Sequence, residues 1–445
     1  EAGHDAHGSG HTREHRVPES VSTKLHRITE QARRDPGFVF TNLMHLVDEV
    51  FLWEAHRQIR KGGATGVDGV TAEEYAKDLA GNLRRLHQTL RSGRYKAPPV
   101  RRGWIPKDDG KQRPIGITAF EDKIVQRAGA MILGAIYEVD FSESSYGFRP
   151  GRSAHQALGA LRQKCLWLGT VVVIDADIQG YFDTINHRHL REMLRRRIND
   201  GALLRLINRW LKAGVMEGER LSYPKDGTPQ GGVISPVLAN IYLHEVLDRW
   251  FQEEVQPRLD GRIFFVRFAD DFILGFANDA DARKVMAVLP KRFGRFALTV
   301  HPDKTRRLRF GPPGNGNNRE TGSFDFLGFT HFWGQTRGGG WTIKRRTSRK
   351  RLTRSMKRAW EWCRQNLHEP IRWQWQTLVG KLRGHYNYYG IRGNYKQMEA
   401  LYEHVCASWR HWLNRRSSKG RRSSAAFDKL LESWPLPLPR IVHAI

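Results

Sequence analysis

Two adjacent aspartates, Asp270 and Asp271, interrupt the run Phe264–Phe276, which is otherwise built almost wholly of strand-forming residues. Aromatic and aliphatic residues on both sides, with the acids at the change of direction, predict a β-hairpin whose turn presents carboxylates. Two anions this close raise one another's pKa, and a divalent cation is the simplest way to keep both ionised. A solvated Asp-Asp turn is the plain alternative, because such turns are common. A second stretch supplies a partner. In Val171-Val172-Val173-Ile174-Asp175-Ala176-Asp177-Ile178 a buried strand ends in acids, and alternation sets Asp175 and Asp177 on one face, of which only one need be a ligand. Carboxylates from separate strands that converge on two divalent ions can activate a hydroxyl nucleophile and stabilise a departing phosphate.

Composition narrows the partners. Lys and Arg outnumber Asp and Glu by 74 to 46, a formal charge of +28, and they are spread from Arg13 to Arg440 among aromatic residues that include 14 Trp. Phosphate neutralisation combined with base stacking is how nucleic-acid channels work, so an extended polyanion is the expected partner. No run of 18 or more apolar residues occurs, so no membrane partner is expected and the chain is read as soluble. Cys165, Cys363 and Cys406 stand far apart with no Cys-x-x-Cys pair, which argues against a disulfide framework or a Cys-rich zinc site and for a reducing, cytoplasmic location. His4, His7, His11 and His15 lie in a Gly-rich polar start without an apolar core, so residues 1–20 are read as a disordered extension and not a secretory signal.

Periodicity is mainly helical from Val21 to Leu90, broken at the Gly-rich loop Lys61–Gly69, whose small residues allow close backbone approach. From Pro98 to Ile117 two extended segments flank Asp108-Asp109-Gly110, a hairpin carrying Lys107, Lys111 and Arg113. Lys107 and Arg113, six residues apart across it, are placed to reach one triphosphate; a solvated basic ribbon is the alternative. Helices are expected over Glu121–Ile136, about His187–Leu211, from Pro236 to about Trp250, and over Asp281–Phe296, with a short strand at Leu298–Val300. In Gly227–Pro236 two glycines after Gln230 permit a close approach of backbone to a ligand. Gly311–Asn318 is a turn-rich break, and a sub-domain transition is expected between Phe324 and Lys350.

Taken in order, these segments resemble reverse transcriptases, specifically the group II intron-encoded kind also called maturases. Ile105–Pro114 looks like the family's fingers motif, and Tyr146–Ser153 like the one after it. Asp177–Asp183 resembles the first palm motif, Thr228–Gly232 the next, and Phe268-Ala269-Asp270-Asp271 the aromatic-x-Asp-Asp signature, with Phe in place of the commoner Tyr. Lys304 and Phe324–Phe329 match the last two. Lys381–Gly390 resembles the maturase thumb motif. The resemblance runs from about Lys61 to Tyr389 and implies an α+β right-hand polymerase. Fingers and palm occupy 21–328 with an N-terminal extension, the α-helical thumb (maturase X domain) 329–400, and a basic, possibly DNA-binding region 401–445.

Residue by residue, the resemblance implies that Asp177, Asp270 and Asp271 are catalytic. With the Ile178 carbonyl they would hold two Mg²⁺ ions, for which Mn²⁺ is a possible substitute. Lys107, Arg113 and Gln230 would hold the incoming deoxynucleoside triphosphate. Phe182 would gate the ribose 2′ hydroxyl, ordinary core packing being the alternative, and Lys304 would protonate or neutralise pyrophosphate. Phe324–Phe329 would grip the primer, or simply pack on the palm. Gly66, Arg149, Arg152, Lys381, Arg383, His385, Tyr386, Tyr388, Arg415 and Arg416 are candidates for nucleic-acid contact. Implied partners are group II intron RNA, an RNA template with a DNA primer, and target DNA. The implied function is assistance of intron splicing and copying of the intron into DNA during its mobility. No paired-cysteine endonuclease motif follows the thumb, which matches an endonuclease-lacking bacterial subgroup. A free-standing reverse transcriptase in defence or repair, and an RNA-binding maturase that only assists splicing, are the alternatives.

Overall fold

A computed structural model describes residues 20–106, 112–218, 220–223, 225–228, 231–313, 321–416 and 423–445. The N-terminal histidines, Lys107 and Gln230 lie outside the described residues. Strands in chain order are β1 (Val100–Pro106), β2 (Gln112–Ile117), β3 (Val172–Ala176), β4 (Val215–Glu217), β5 (Arg220–Ser222), β6 (Ile263–Phe268), β7 (Asp271–Phe276), β8 (Arg306–Arg309), β9 (Phe324–Phe326), β10 (Phe329–Gln335) and β11 (Trp341–Thr347). The chain divides into two units, Glu1–Asp140 with His187–Leu238 and Phe141–Asn186 with Ala239–Ile445.

The first unit is mostly helical. Its helices start where short polar side chains satisfy free N–H groups: Ser20 accepts from Thr23 N, Asp48 from Phe51 N, and Thr71 with Glu74 forms a capping box. Helix Phe120–Tyr137 is buried along much of its length and carries Asp122, 2% exposed. That carboxylate accepts from Tyr95 Oη at 2.6 Å, Trp210 Nε1 at 2.8 Å and Gln126 Nε2 at 2.8 Å, so a buried charge ties this helix to Gly201–Leu211. Burial still raises its pKa above the usual carboxylate value. The expected hairpin is β1 with β2, antiparallel, Ile105 opposite Arg113; β1 also pairs in parallel with β4, which pairs with β5. The Lys61–Gly69 loop needs glycine at 66 because a Cβ there would lie 2.5 Å from Ala119 backbone.

The second unit is built on a four-stranded sheet in the order β6-β7-β3-β8, antiparallel throughout. β6 and β7 are buried on nearly every residue, which is why they read as continuous apolar runs instead of alternating ones. Helices Ala154–Leu168 and Asp279–Gly294 pack on this sheet, the latter capped by the Asn278 side chain. A second sheet, β11-β10-β9, fills the stretch where a transition was expected. Phe324, Phe326 and Phe329 join the same core as Val173, Val266 and Ile273. Among the described residues four helices follow, Arg349–Gln365, Ile371–Tyr389, Tyr395–Leu413 and Ser424–Ser433, with Tyr386 and Trp409 in their shared core, where Trp409 Nε1 donates to Gln374 Oε1 at 2.8 Å.

Two expectations change. Leu298–Val300 is not a strand; Val300 forms a single bridge with Ile178. The helix that opens at Ser235 is α-helical only to Leu243, then widens into π-helical turns at His244–Asp248 and Trp250–Val255. Tyr395–Leu413 is one continuous helix, and Phe427 and Leu436 pack in its core.

Candidate active site

The chemistry gathers at the end of the β6-β7-β3 sheet. Phe268 pairs with Asp271, so β6 and β7 are joined by a two-residue turn, Ala269-Asp270. Ala269 has φ +58°, a left-handed conformation that favours glycine and costs alanine about 1–3 kcal/mol. Next to β7 runs β3, with Ala176 opposite Phe272 and Asp175 opposite Ile273. Asp177 follows directly, so the acids of both motifs share one edge of the unit.

The acids also act on one another electrostatically. Asp271 is pushed well above the usual carboxylate range, first by burial and then by the charges of Asp175, Asp270 and Asp177, against one backbone N–H donated by Leu327. Asp175 is pushed up to about 6, mainly by burial, although Arg306 Nε donates to its Oδ2 at 3.2 Å. Lys304 Nζ donates to Asp177 Oδ2 at 2.6 Å. Backbone bonds put that lysine there: Gln179 N donates to Thr299 O at 2.9 Å, and His301 N donates to Asp177 O at 2.8 Å, wrapping residues 299–304 around the end of β3. Ile178 is buried within this wrap.

The β9–β10 hairpin closes the other side. Its turn residues, Leu327 at φ +51° and Gly328 at φ +82°, reverse the chain so that the Leu327 N–H reaches Asp271. Tyr388 Oη donates to Leu327 O at 2.8 Å, tying helix Ile371–Tyr389 to the same turn. Sequence reasoning did not find Arg306, Asp325 or the Leu327 contact. Asp325 feeds charge to Asp175 and accepts from Thr330 Oγ1 at 2.5 Å. Arg306, two residues after Lys304 and opposite Asp175 in the β3–β8 ladder, was the available signal.

Other expected residues fall in varied places. Phe182 is 8% exposed and meets Tyr181 edge to face at 5.4 Å, in a short helix entered through Gly180 at φ +57°. Arg113 is exposed on β2. Arg149 is corrected from nucleic-acid contact to loop support: it is 6% exposed, and its Nη1 donates to Ser142 O and Ser145 O at 2.6 and 2.7 Å. Tyr386 is corrected likewise, since it is fully buried in the helical core. Gly66, buried against Ala119, is a packing glycine. Tyr388 is held by Leu327 and faces Phe329. His385 stacks on Tyr389 at 4.5 Å, and burial lowers its pKa to about 4, so it brings no positive charge to a phosphate near neutral pH. Arg152 is ion-paired with Glu143 and lies over Tyr146. Arg383, Arg415 and Arg416 are exposed, as is Lys381, which sits over Trp362.

Among the described residues, no three His, Cys, Asp or Glu side chains form a ready-made metal cage. The donors nonetheless suit a hard divalent cation: every candidate is an oxygen, from a carboxylate or from the Ile178 carbonyl, and Asp271 is burdened by three neighbouring anions. Lys304 and Arg306 supply positive charge to this cluster.

The family model described as reverse transcriptase (RNA-dependent DNA polymerase) matches residues 105–331, just over half of the chain. Protein YkfC of Escherichia coli K12 is 38% identical over 288 residues, which cover 57% of this chain and 75% of that protein. Group II intron-encoded protein LtrA of Lactococcus lactis subsp. cremoris is 37% identical over 227 residues, 50% of this chain and 37% of that protein. An uncharacterized 91 kDa protein in the cob intron of Schizosaccharomyces pombe is 32% identical over 247 residues, 54% of this chain and 30% of that protein. The chain thus spans three-quarters of the first relative and about a third of the other two. The match also covers the strands that carry the aspartates, in the mixed α/β fold of a right-hand polymerase, and among the described residues no helix is long and apolar enough to cross a membrane. With the family model extending over more than half of it, the chain belongs to the reverse transcriptases, RNA-directed DNA polymerases, and it is similar to a group II intron-encoded member of them.

Proposed function

We propose that this chain copies group II intron RNA into DNA by Mg²⁺-dependent nucleotidyl transfer from deoxynucleoside triphosphates, and that it binds the intron RNA to assist splicing. One observation carries the reading: β3 pairs with β7, Ala176 opposite Phe272, so Asp177 and the Asp270–Asp271 pair come to the same end of one sheet. Asp177, Asp270, Asp271 and the Ile178 carbonyl would hold the metal. Magnesium bound there supplies a Lewis acid to a primer 3′ hydroxyl and to the departing pyrophosphate. Lys304 would give up the Asp177 carboxylate to a bound cation, and its ammonium would then be available as a proton donor or counter-charge for pyrophosphate. The Leu327 N–H would keep the Asp271 carboxyl oriented.

Lys107, Arg113 and Gln230 are assigned to the triphosphate on the motifs they match. The exposed Lys381, Arg383, Arg415 and Arg416 are assigned to RNA or target-DNA phosphates on charge. A reducing bacterial cytoplasm, where RNA and the nucleoid are found, suits three free cysteines. A purely splicing role would not need the carboxylates, and all of them are present. A free-standing enzyme in defence or repair would use the same site, so genomic context separates it from the intron-encoded reading.

The test is extension of a DNA primer on an RNA template. Wild-type protein is expected to use deoxynucleotides in strong preference to ribonucleotides. Phe182→Ala is expected to raise ribonucleotide incorporation by about 10-fold or more, since removing a steric block is worth at least the 1–3 kcal/mol of a methylene-scale contact. An unchanged sugar preference would leave Phe182 as core packing, and no extension by wild type would defeat the polymerase reading.

A further inference from the structure

Arg267 lies two residues before the turn and is completely buried, as is its partner Asp248. Its Nε and Nη2 donate to the two oxygens of Asp248 at 2.8 and 2.6 Å. Its Nη1 donates to Asn240 Oδ1 at 3.1 Å and to Ala269 O at 3.0 Å. Each nitrogen of this side chain is therefore engaged, by one acid, one amide or the carbonyl of the left-handed turn residue. A buried ion pair contributes little stability beyond what apolar side chains of the same volume would give. What apolar side chains cannot supply is a fixed donor at Ala269 O.

Neighbouring elements close around the same turn. Gly147 presses on it from outside, since a Cβ there would stand 2.3 Å from Ala269 N. Asn240 Nδ2 donates to Gly147 O at 2.7 Å, so Asn240 links the outer loop to the buried guanidinium. That loop is also fastened to β6, with Arg267 N donating to Ser144 O at 2.8 Å and Tyr146 N donating to Arg267 O at 2.9 Å. Asp248 sits on the π-helical turn His244–Asp248, and such turns concentrate at functional sites because they redirect side chains that an α-helix would aim elsewhere. His244 Nδ1 stands 3.7 Å from Asp248 Oδ2.

We propose that Arg267 is a positioning residue. With Asp248, Asn240 and Gly147 it holds the Ala269–Asp270 turn in its left-handed form, so that the Asp270 and Asp271 carboxylates are already placed for divalent cations. Arg267 touches neither substrate nor metal; it acts through the turn. The proposal rests on the catalytic reading of Asp270 and Asp271.

Two variants test it. Arg267→Lys keeps the charge beside Asp248 but cannot make the bidentate pair and also reach Ala269 O. Gly147→Ala leaves the ion pair untouched and pushes on Ala269 from the other side. In metal-free protein, amide hydrogen exchange across residues 268–272 is expected to quicken by about 10-fold or more, with the β3–β8 ladder unchanged. Mn²⁺ affinity followed by electron paramagnetic resonance is expected to fall about 10- to 100-fold, as does kcat per folded molecule, while KM for the deoxynucleotide stays within about threefold. Wild-type exchange, Mn²⁺ affinity and kcat in either folded variant would overturn the proposal. An Asp270→Asn control separates the two levels. If it extends primers normally the catalytic reading fails, whereas if it is inactive while Arg267→Lys and Gly147→Ala are normal, only the positioning role fails.

Discussion

Asp177→Asn and Asp270→Asn are each expected to lower RNA-templated primer extension by about 10³-fold or more, at least the loss seen when one preorganised electrostatic group is removed from an active site. Asparagine keeps the shape of the side chain and removes the charge that a divalent cation needs, so folding is spared and the loss belongs to chemistry. RNA affinity, set by surface lysines and arginines far more numerous than these acids, is expected to stay within about twofold. Removing Asp177 also frees Lys304, and removing Asp270 takes one anion from beside Asp271. Both changes lower the negative charge beside Asp271 and leave the enzyme without a ligand. Extension at near wild-type rate by either variant, measured on the same template and primer, would contradict the site.

Asp248→Ala is expected to cost about 3–5 kcal/mol of stability, the penalty of leaving a buried charge without its partner. Arg267 is wholly enclosed and has no route to water, so neither its Asn240 nor its Ala269 contact can replace the lost carboxylate pair. Urea denaturation followed by tryptophan fluorescence measures this directly. A double change, Arg267→Met with Asp248→Leu, is expected to regain most of that stability, because well-packed apolar side chains substitute for a buried ion pair at little net cost. It is expected to regain none of the polymerase activity, because no donor then reaches the turn. A loss below about 1 kcal/mol for Asp248→Ala would mean that the pair is not enclosed as described.

Much of the site was legible in the residues. The β6–β7 hairpin declares itself because a doubly covered strand tolerates only apolar residues, which makes two aspartates at its turn conspicuous. The β1–β2 hairpin shows through its polar turn between extended segments. Strand alternation correctly grouped Asp175 with Asp177, and the structure then divides their roles by partner, Arg306 for one and Lys304 for the other. Less could be seen where function depends on what is packed nearby. Arg267 and Asp248 look like any surface charges in a basic sequence, and only burial reveals them as a pair. Tyr386 and Arg149 misled for the opposite reason, because an aromatic or an arginine in a basic motif reads as an RNA contact until its surroundings are known. The π-helical turns carry no periodicity that distinguishes them from the α-helix they continue. The Leu327 N–H belongs to the backbone and has no signature in side-chain identity at all.

The central claim is that carboxylates from two motifs jointly hold divalent cations at the end of a growing DNA strand. Anomalous scattering from Mn²⁺ tests it most directly, in crystals of the protein with an RNA template, a dideoxy-terminated DNA primer and the next deoxynucleoside triphosphate. The account predicts two manganese peaks, with Asp177 and Asp270 ligating, Lys304 displaced from Asp177, and the Ala269 turn unchanged. Manganese bound elsewhere, or Asp177 still paired with Lys304 while the triphosphate is in place, would contradict it.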